Sequence, residues 1–505
     1  MGGTVLARAL CGTLFGLDGV RIDVEADIGP GLPGFHIVGL ADRALQEARE
    51  RVKIAINNSG VEFPGQKVTV NLAPAQLPKE GCGFDLAIAV AILSASGKVR
   101  LPDGAAWLGE LGLDGSVRRV RGVLPIAAHL TRSGATQFYV PRENMAEARL
   151  GTSHPVHGVR DLQELVAHWE SGNSLAADAP APGGSVAPPE PAYDLADVRG
   201  QATARRALEI AAAGAHHILL IGPPGAGKTL LARALPSILP PLPPAESLEV
   251  TAIASCVGLL PPGSGLLVEP PFRAPHHNIS AAGLIGGGGA VPRAGEITRA
   301  HRGVLFLDEV TEFRRDALEA LRQPLEEGRV AVARVGGHAV FPGRFILVAA
   351  ANPCSCGFAG EAGRCRCTPL DRQRYQARLS GPIRDRIDLQ VLVPRLPAAE
   401  LLGTSAAAES SAVVRSRVLA ARGRQEARRP TGPLNGALTG AQLRRDARLD
   451  DPGHALLEAA ADRLHLTGRA IHRVLRVART IADLEGVENV DSTHLAEALQ
   501  YRDPA

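Results

Sequence analysis

Aromatic residues are scarce: two Trp, four Tyr and eleven Phe among 505 residues. With so few rings, base stacking does not dominate any contact with nucleic acid, and backbone electrostatics must carry it. Lysine is scarcer still. Only Lys53, Lys67, Lys79, Lys98 and Lys228 occur, so nearly all of the 55 basic residues are Arg, a bias we attribute to coding composition. Against that background Lys228 stands out as the one lysine after Lys98. The formal net charge is +3, which by itself gives no argument for a polyanionic partner. No uninterrupted apolar run reaches the roughly 18 residues of a membrane-spanning helix, which predicts no membrane association. The N-terminus has neither a basic leader nor a clean cleavage site, which predicts no signal peptide. The seven cysteines are three isolated ones (Cys11, Cys82, Cys256) and a cluster of four. That distribution suggests a reducing compartment rather than a disulfide framework, and the protein is expected in the cytoplasm.

What is present is an ordinary globular composition, 45% hydrophobic and 21% charged, in a chain long enough for about two to four domains. The expected fold class is α/β. Residues 1–171 alternate β-rich runs such as "KVTVNLAP" with helical ones such as "GFDLAIAVAILSASG", which predicts a compact α/β domain. Residues 172–193, rich in Pro, Ala and Gly, read as a linker. Residues 194–395 hold strand–loop–helix units, and 396–505 read as a mostly helical, Arg-rich region.

The stretch "HHILLIGPPGAGKTLLARALPSIL" supplies an apolar strand, then Gly222, Pro223, Pro224, Gly225, Ala226, Gly227, Lys228 and Thr229, then a helix. Glycines at this spacing let the backbone N–H groups turn toward phosphate oxygens, and the helix N-terminus adds its dipole. Lys228 would bridge the β- and γ-phosphates of ATP, and Thr229 would ligate Mg²⁺. Further on, "HRGVLFLDEV" ends an apolar strand in Asp308 and Glu309. Asp308 would hold Mg²⁺ through water, and Glu309 would orient or deprotonate the attacking water. A strand ending in two acids is common, but paired with the phosphate loop it predicts a nucleoside triphosphatase.

From "LFLDE" through "RQPLEEGRVAVARVGGHAVFPGRFILVAAANP" the chain resembles the AAA+ branch that contains magnesium-chelatase motors and MCM helicases. The resemblance implies a β-hairpin over 328–345 ahead of a sensor strand, with Asn352 as the γ-phosphate or water sensor. "LSGPIRDRIDLQV" is similar to the branch's finger segment, making Arg386 the arginine that reaches into a neighbouring subunit's ATP. "LTGRAIHRVLRVART" is similar to its lid helix, where Arg469 matches the second sensor. A finger acting in trans implies a ring.

The first 171 residues narrow the branch. "GPGLPGFHIVGLADRALQEARERVKIAINNSG" and "NLAPAQLPKEGCGFDLAIAVAIL" resemble the Lon-protease-type domain of the YifB/ComM family of magnesium-chelatase-like ATPases. With the remainder, the resemblance covers nearly the whole chain. It implies a hexameric DNA helicase that promotes branch migration on single-stranded and branched DNA during natural transformation. A rival reading, proteolysis, fails on the dyad: Gly83 stands where Lon-type enzymes carry the serine and Leu124 near the lysine position, and Cys82 has no evident base. The other rival is a magnesium-chelatase-type motor acting on a protein partner. The chelatase small subunits lack the Lon-like domain, and no integrin-type partner segment appears.

Candidate DNA contacts are Arg334 and His338 at the hairpin tip, and Arg273, His276, His277 and Arg293 in the glycine-rich stretch 273–297. Arg415, Arg417, Arg422, Arg424, Arg428 and Arg429 form a basic run that lines a DNA path or, at least as readily, a solvated face. Cys354, Cys356, Cys365 and Cys367 follow Asn352 directly. Four thiolates suit a closed structural Zn²⁺ site. Unligated thiols, disulfides and an iron–sulfur cluster remain the alternatives.

Overall fold

The computed structural model describes residues 6–39, 43–79, 81, 83–171, 175, 193–361, 363–397 and 409–502. Of the expected linker, only Leu175 and Tyr193 fall among these residues. Cys82 lies outside them, as do 398–408 at the start of the expected helical region.

The N-terminal part builds a seven-stranded mixed sheet from β1 (Ala7–Phe15), β2 (Asp18–Gly29), β3 (Gly34–Val38), β4 (Lys67–Ala73), β5 (Ala105–Trp107), β6 (Gln137–Pro141) and β7 (Val156–Val159). Their order is β3-β4-β2-β1-β5-β6-β7. β1, β2 and β4 pair antiparallel, while the other pairings are parallel. Alternate residues of β4 are buried, the period expected of a sheet covered on one face. The cover is α2 (Asp85–Ala95), which follows α1 (Arg43–Asn58) in the chain and is apolar on all sides and almost wholly buried. Its Asp85 carboxylate accepts hydrogen bonds from Arg51 Nε at 3.0 Å and from the Leu111 N–H at 3.2 Å. The helix α3 (Val123–Arg132) flanks the same sheet.

The central part forms a five-stranded, all-parallel sheet from β8 (Ile218–Ile221), β9 (Phe272–Arg273), β10 (Val304–Leu307), β13 (Ile346–Ala351) and β14 (Leu389–Leu392), in the order β9-β10-β13-β8-β14. β11 (Arg329–Arg334) and β12 (Gly337–Pro342) form a separate antiparallel hairpin. "VLFL" of β10 and "ILVAAA" of β13 are buried at every position, as strands covered on both faces must be. The expected hairpin and sensor strand are therefore both present.

Ser411–Arg428 and Gly468–Glu485 share one apolar core with the helices Ala202–Gly214 and Lys228–Ile238, through residues such as Val414, Val418, Val474 and Ile481. The run of arginines in this region has partners within the chain. Arg415 donates to Ser237 O, Arg422 to Ala212 O and Arg424 to Asp483 O. Arg417 pairs with Glu209 and Glu409, Arg428 with Asp483, and Arg429 with Asp446. Each of these six arginines thus has a carboxylate or carbonyl partner within its own chain.

Candidate active site

β8 sits in the centre of its sheet, and the chain leaves it at Gly222. A Cβ there would fall 2.1 Å from the carbonyl oxygen of Val393, so only glycine fits. Gly225 and Gly227 take φ of 78° and 93°, the left-handed region that glycine enters without penalty. A Cβ on either would meet nothing within 4 Å; it would project into the open cradle where phosphate oxygens would lie against the loop. Gly227 then caps the helix starting at Lys228. Loop, cradle and helix terminus together fit a nucleotide triphosphate.

The residues expected around the phosphates converge. Lys228 Nζ donates to Gly222 O at 2.6 Å, to Pro223 O at 3.0 Å and to Asn352 Oδ1 at 3.1 Å. Burial lowers its pKa, an effect that Asp308 and Glu309 oppose. Thr229 Oγ1 donates to Asp308 Oδ2 at 2.9 Å, placing a hydroxyl and a carboxylate side by side, a donor pair suited to Mg²⁺. Glu309 has φ of 50°, uncommon for a non-glycine residue. Its carboxylate projects to solvent beside the cradle, with His277 Nδ1 at 3.9 Å from Oε2. The sequence offers His277 as a DNA contact or a surface-loop residue, and the structure places it beside Glu309. Its proximity follows from strand order: β9 and β10 are parallel neighbours, Phe272 opposite Val304, so the chain emerges from both at the same edge.

Two arginines lie away from this cluster. β14 runs parallel to β8 with Leu389 opposite Ile218, so Arg386 precedes the strand at the edge opposite the phosphate loop. Its guanidinium is held by Glu326 and by Pro382 O. The helix Gly468–Glu485 crosses the same edge: Thr480 Oγ1 is 2.7 Å from Nε2 of His216, whose Nδ1 is 3.0 Å from Asp388. One turn after the exposed Arg469, Arg473 lies 3.5 Å from the Asp385 carboxylate. Arg386 and Arg469 thus share the edge remote from their own chain's Lys228.

The four clustered cysteines come together. Their sulfurs all lie within 4.8 Å of one another, with separations of 3.4, 3.9 and 3.7 Å among Cys354, Cys356 and Cys365. These are not disulfide distances, and all four are free thiols. A tetrahedron with metal–sulfur bonds of about 2.3 Å has edges of about 3.8 Å, so the set fits a Zn²⁺-type cation. Backbone N–H groups of Phe358 and Arg366 pull the Cys356 thiol down to about 6, while burial pushes its neighbour Cys354 up to about 11.

The candidate DNA residues divide. Arg334 Nε donates to Gly288 O at 3.2 Å, bringing the hairpin tip beside the Gly286–Arg293 loop, and Arg293 and His338 are exposed there. Arg273 lies elsewhere, its guanidinium bound bidentately to Glu296 at 2.7 and 3.2 Å. His276 packs against His277 with the rings tilted and their centroids 4.1 Å apart. The tip also abuts the N-terminal part: a Cβ at Gly336 would reach the Pro78 side chain at 3.0 Å, and one at Gly337 the Phe15 ring at 2.7 Å. In that N-terminal part Leu124 is buried on α3, so no lysine occupies the position a Lon-type dyad requires.

Family comparisons agree with this anatomy. Residues 24–144 match the model described as subunit ChlI of Mg-chelatase. Residues 194–401 match magnesium chelatase, subunit ChlI, and 408–502 its C-terminal part. The uncharacterized protein Rv2897c of Mycobacterium tuberculosis is 47% identical over 502 residues, covering 98% of both chains. Competence protein ComM of Haemophilus influenzae is 40% identical over 496 residues, 96% of this chain and 95% of that one. The chain belongs to the YifB/ComM family of magnesium-chelatase-like AAA+ ATPases. Lon protease 2 of Bacillus subtilis is 30% identical over 95 residues, 19% of this chain and 17% of that one, in keeping with a Lon-like part in this family member. ATP and Mg²⁺ are the family's substrate and cofactor, and the cradle and the Thr229–Asp308 pair suit both. Among the described residues no helix is long and apolar enough to cross a membrane.

Proposed function

We propose that this ATPase works as a hexameric ring on DNA in the cytoplasm, using ATP turnover to drive branch migration when incoming single-stranded DNA recombines during natural transformation. The observation that carries the ring is the opposed placement of Lys228 and Arg386 at the two ends of the parallel strands. One subunit offers the cradle with Lys228, Thr229, Asp308, Glu309 and Asn352; the next supplies Arg386 and Arg469. Bound Mg²⁺ would neutralise charge on the phosphates. Glu309 aligns the attacking water, Asn352 reports on the γ-phosphate through Lys228, and Arg386 stabilises the charge that develops in transfer. Arg334, His338 and Arg293 present the DNA-facing surface at the hairpin tip, and the four cysteines hold a structural zinc.

The competence name of the relative from Haemophilus influenzae and the exposed hairpin tip, with Val335 fully solvated, support the DNA reading. The match of three segments to magnesium-chelatase models supports the second reading, a motor acting on a protein partner. ATP turnover measured with and without single-stranded and forked DNA, at low and high salt, separates them. DNA stimulation that salt weakens, that Arg334→Ala reduces and that Glu309→Gln abolishes is the expected result. Turnover indifferent to DNA would refute the DNA reading in favour of the protein partner.

A further inference from the structure

The cysteine loop touches the phosphate loop at its start and in its middle, and its far end leads to a contact beside Glu309. Where β13 ends, Ala351 O accepts from the Gly222 N–H at 3.2 Å, and Asn352 Oδ1 accepts from Lys228 Nζ at 3.1 Å. Cys354 comes two residues later, buried, and its carbonyl accepts from the Gly357 N–H at 2.9 Å to close a turn. That turn presses Gly357 against the ring of Pro224. A Cβ on Gly357 would fall 2.8 Å from Pro224 Cδ and 2.9 Å from Cγ, and its φ of 85° is again left-handed. Beyond Cys367 the chain enters the helix Pro369–Gln376, capped by Thr368, whose Oγ1 accepts from the Asp371 N–H. There Tyr375 OH is 2.6 Å from Thr311 Oγ1, two residues past Glu309. Along the chain the thiol cluster therefore falls between contacts to the loop that carries Lys228 and a contact to the strand end that carries Glu309.

We infer that the metal held by these four thiolates sets nucleotide affinity, by bracing the Gly357 turn against Pro224 and so fixing the curvature of the phosphate loop. This rests on the zinc reading given above and adds to it a function: metal state controls nucleotide binding. With the sulfurs drawn to one ion, Cys354 and Cys356 fix the turn and Cys365 and Cys367 fix its return. Without the ion, the described residues of this loop keep only local contacts, such as Arg364 with Glu361 at 2.6 Å and over the Phe358 ring, and Pro224 loses its support. Coupling between two ligand sites through a shared contact of this kind is commonly worth roughly 5–150-fold in affinity.

The test uses the full chain carrying Glu309→Gln, so that nucleotide binds without turnover. Zinc content is measured by elemental analysis, and the affinity for a fluorescent ATP analogue is measured before and after a thiol-directed mercurial releases the metal. It is measured again after thiol and Zn²⁺ are restored. The expected result is one zinc per chain, a roughly tenfold loss of affinity on release, and recovery on restoration. A Pro224→Ala version should lose less than about twofold when its metal is released, because the braced contact is already missing. A Cys354→Ser, Cys356→Ser variant should match the stripped protein. If that variant fails to fold, the Pro224→Ala comparison decides the matter alone. One zinc per chain whose removal leaves affinity unchanged would overturn the inference while leaving the zinc reading intact. No bound zinc, with all four thiols titrating freely, would sink the zinc reading and this inference with it.

Discussion

Nδ1 of His277 lies 3.9 Å from Oε2 of Glu309, across the gap between two neighbouring parallel strands. The imidazole is also packed edge-on to Phe313, with ring centroids 6.4 Å apart, so its position is set from two sides. Glu309 itself has an unusual backbone conformation and projects into solvent, and a neighbouring imidazole limits where its carboxylate points. Replacing His277 by Ala should therefore lower ATP turnover by about tenfold while leaving nucleotide affinity nearly unchanged, and His277→Asn should restore part of the rate. Steady-state kinetics beside nucleotide titration checks this. A fall in affinity equal to the fall in turnover would show that His277 supports the binding site as a whole rather than Glu309.

His277 also marks where reading residues in a line stops working. Gly222 to Thr229, Asp308 and Asn352 were legible because each stands at the end of an apolar run, and a parallel sheet delivers strand ends to one edge. The cysteine cluster was legible because all four thiols fall in one short loop. His277 was not, since its partner is set by which strands are neighbours, and a two-residue strand such as Phe272–Arg273 carries no periodic pattern. The arginines of the C-terminal helices were ambiguous for a different reason. Arg417, Arg428 and Arg429 pair with Glu209, Glu409, Asp446 and Asp483, while Arg415, Arg422 and Arg424 bond carbonyls, and most of these partners reach them only after folding. The same holds for Arg273, captured by Glu296, and for the hairpin tip, which meets Phe15 and Pro78 from the other end of the chain.

The placement of Arg386 makes a subunit-mixing experiment decisive. Arg386→Ala leaves the cradle intact but removes the finger it lends, at a cost of roughly 10³ or more in turnover. Lys228→Ala disables its own cradle but keeps Arg386. Each variant alone should be nearly inactive. Mixed and allowed to assemble, they should recover a measurable fraction of wild-type turnover, because an intact cradle then faces an intact finger at some interfaces. Mixtures as inactive as the separate variants, in rings shown to contain both, would place Arg386 outside the neighbour's site.

A pH dependence follows from His301, which sits where the hairpin rejoins the sheet. Its Nδ1 accepts from the Arg344 N–H at 3.1 Å, and its Nε2 faces Glu249 at 3.1 Å, so the neutral tautomer with hydrogen on Nε2 satisfies both. Burial is the main reason its pKa falls from the usual 6.5 to about 4, outweighing the opposing effect of Glu249; the nearby Arg302 and Arg344 lower it further. Because the folded-state pKa lies below the unfolded one, this histidine contributes stability above pH 6.5 and loses that contribution as pH falls toward 4. Protonation would put a hydrogen on Nδ1 and break its bond with Arg344. The stability lost across that window is on the order of 3 kcal/mol. Thermal unfolding of wild type and His301→Gln followed from pH 8 to pH 4 should show the difference in Tm between them shrinking over that window. A difference that stays constant with pH would mean that His301 acts through packing alone, with no linked proton.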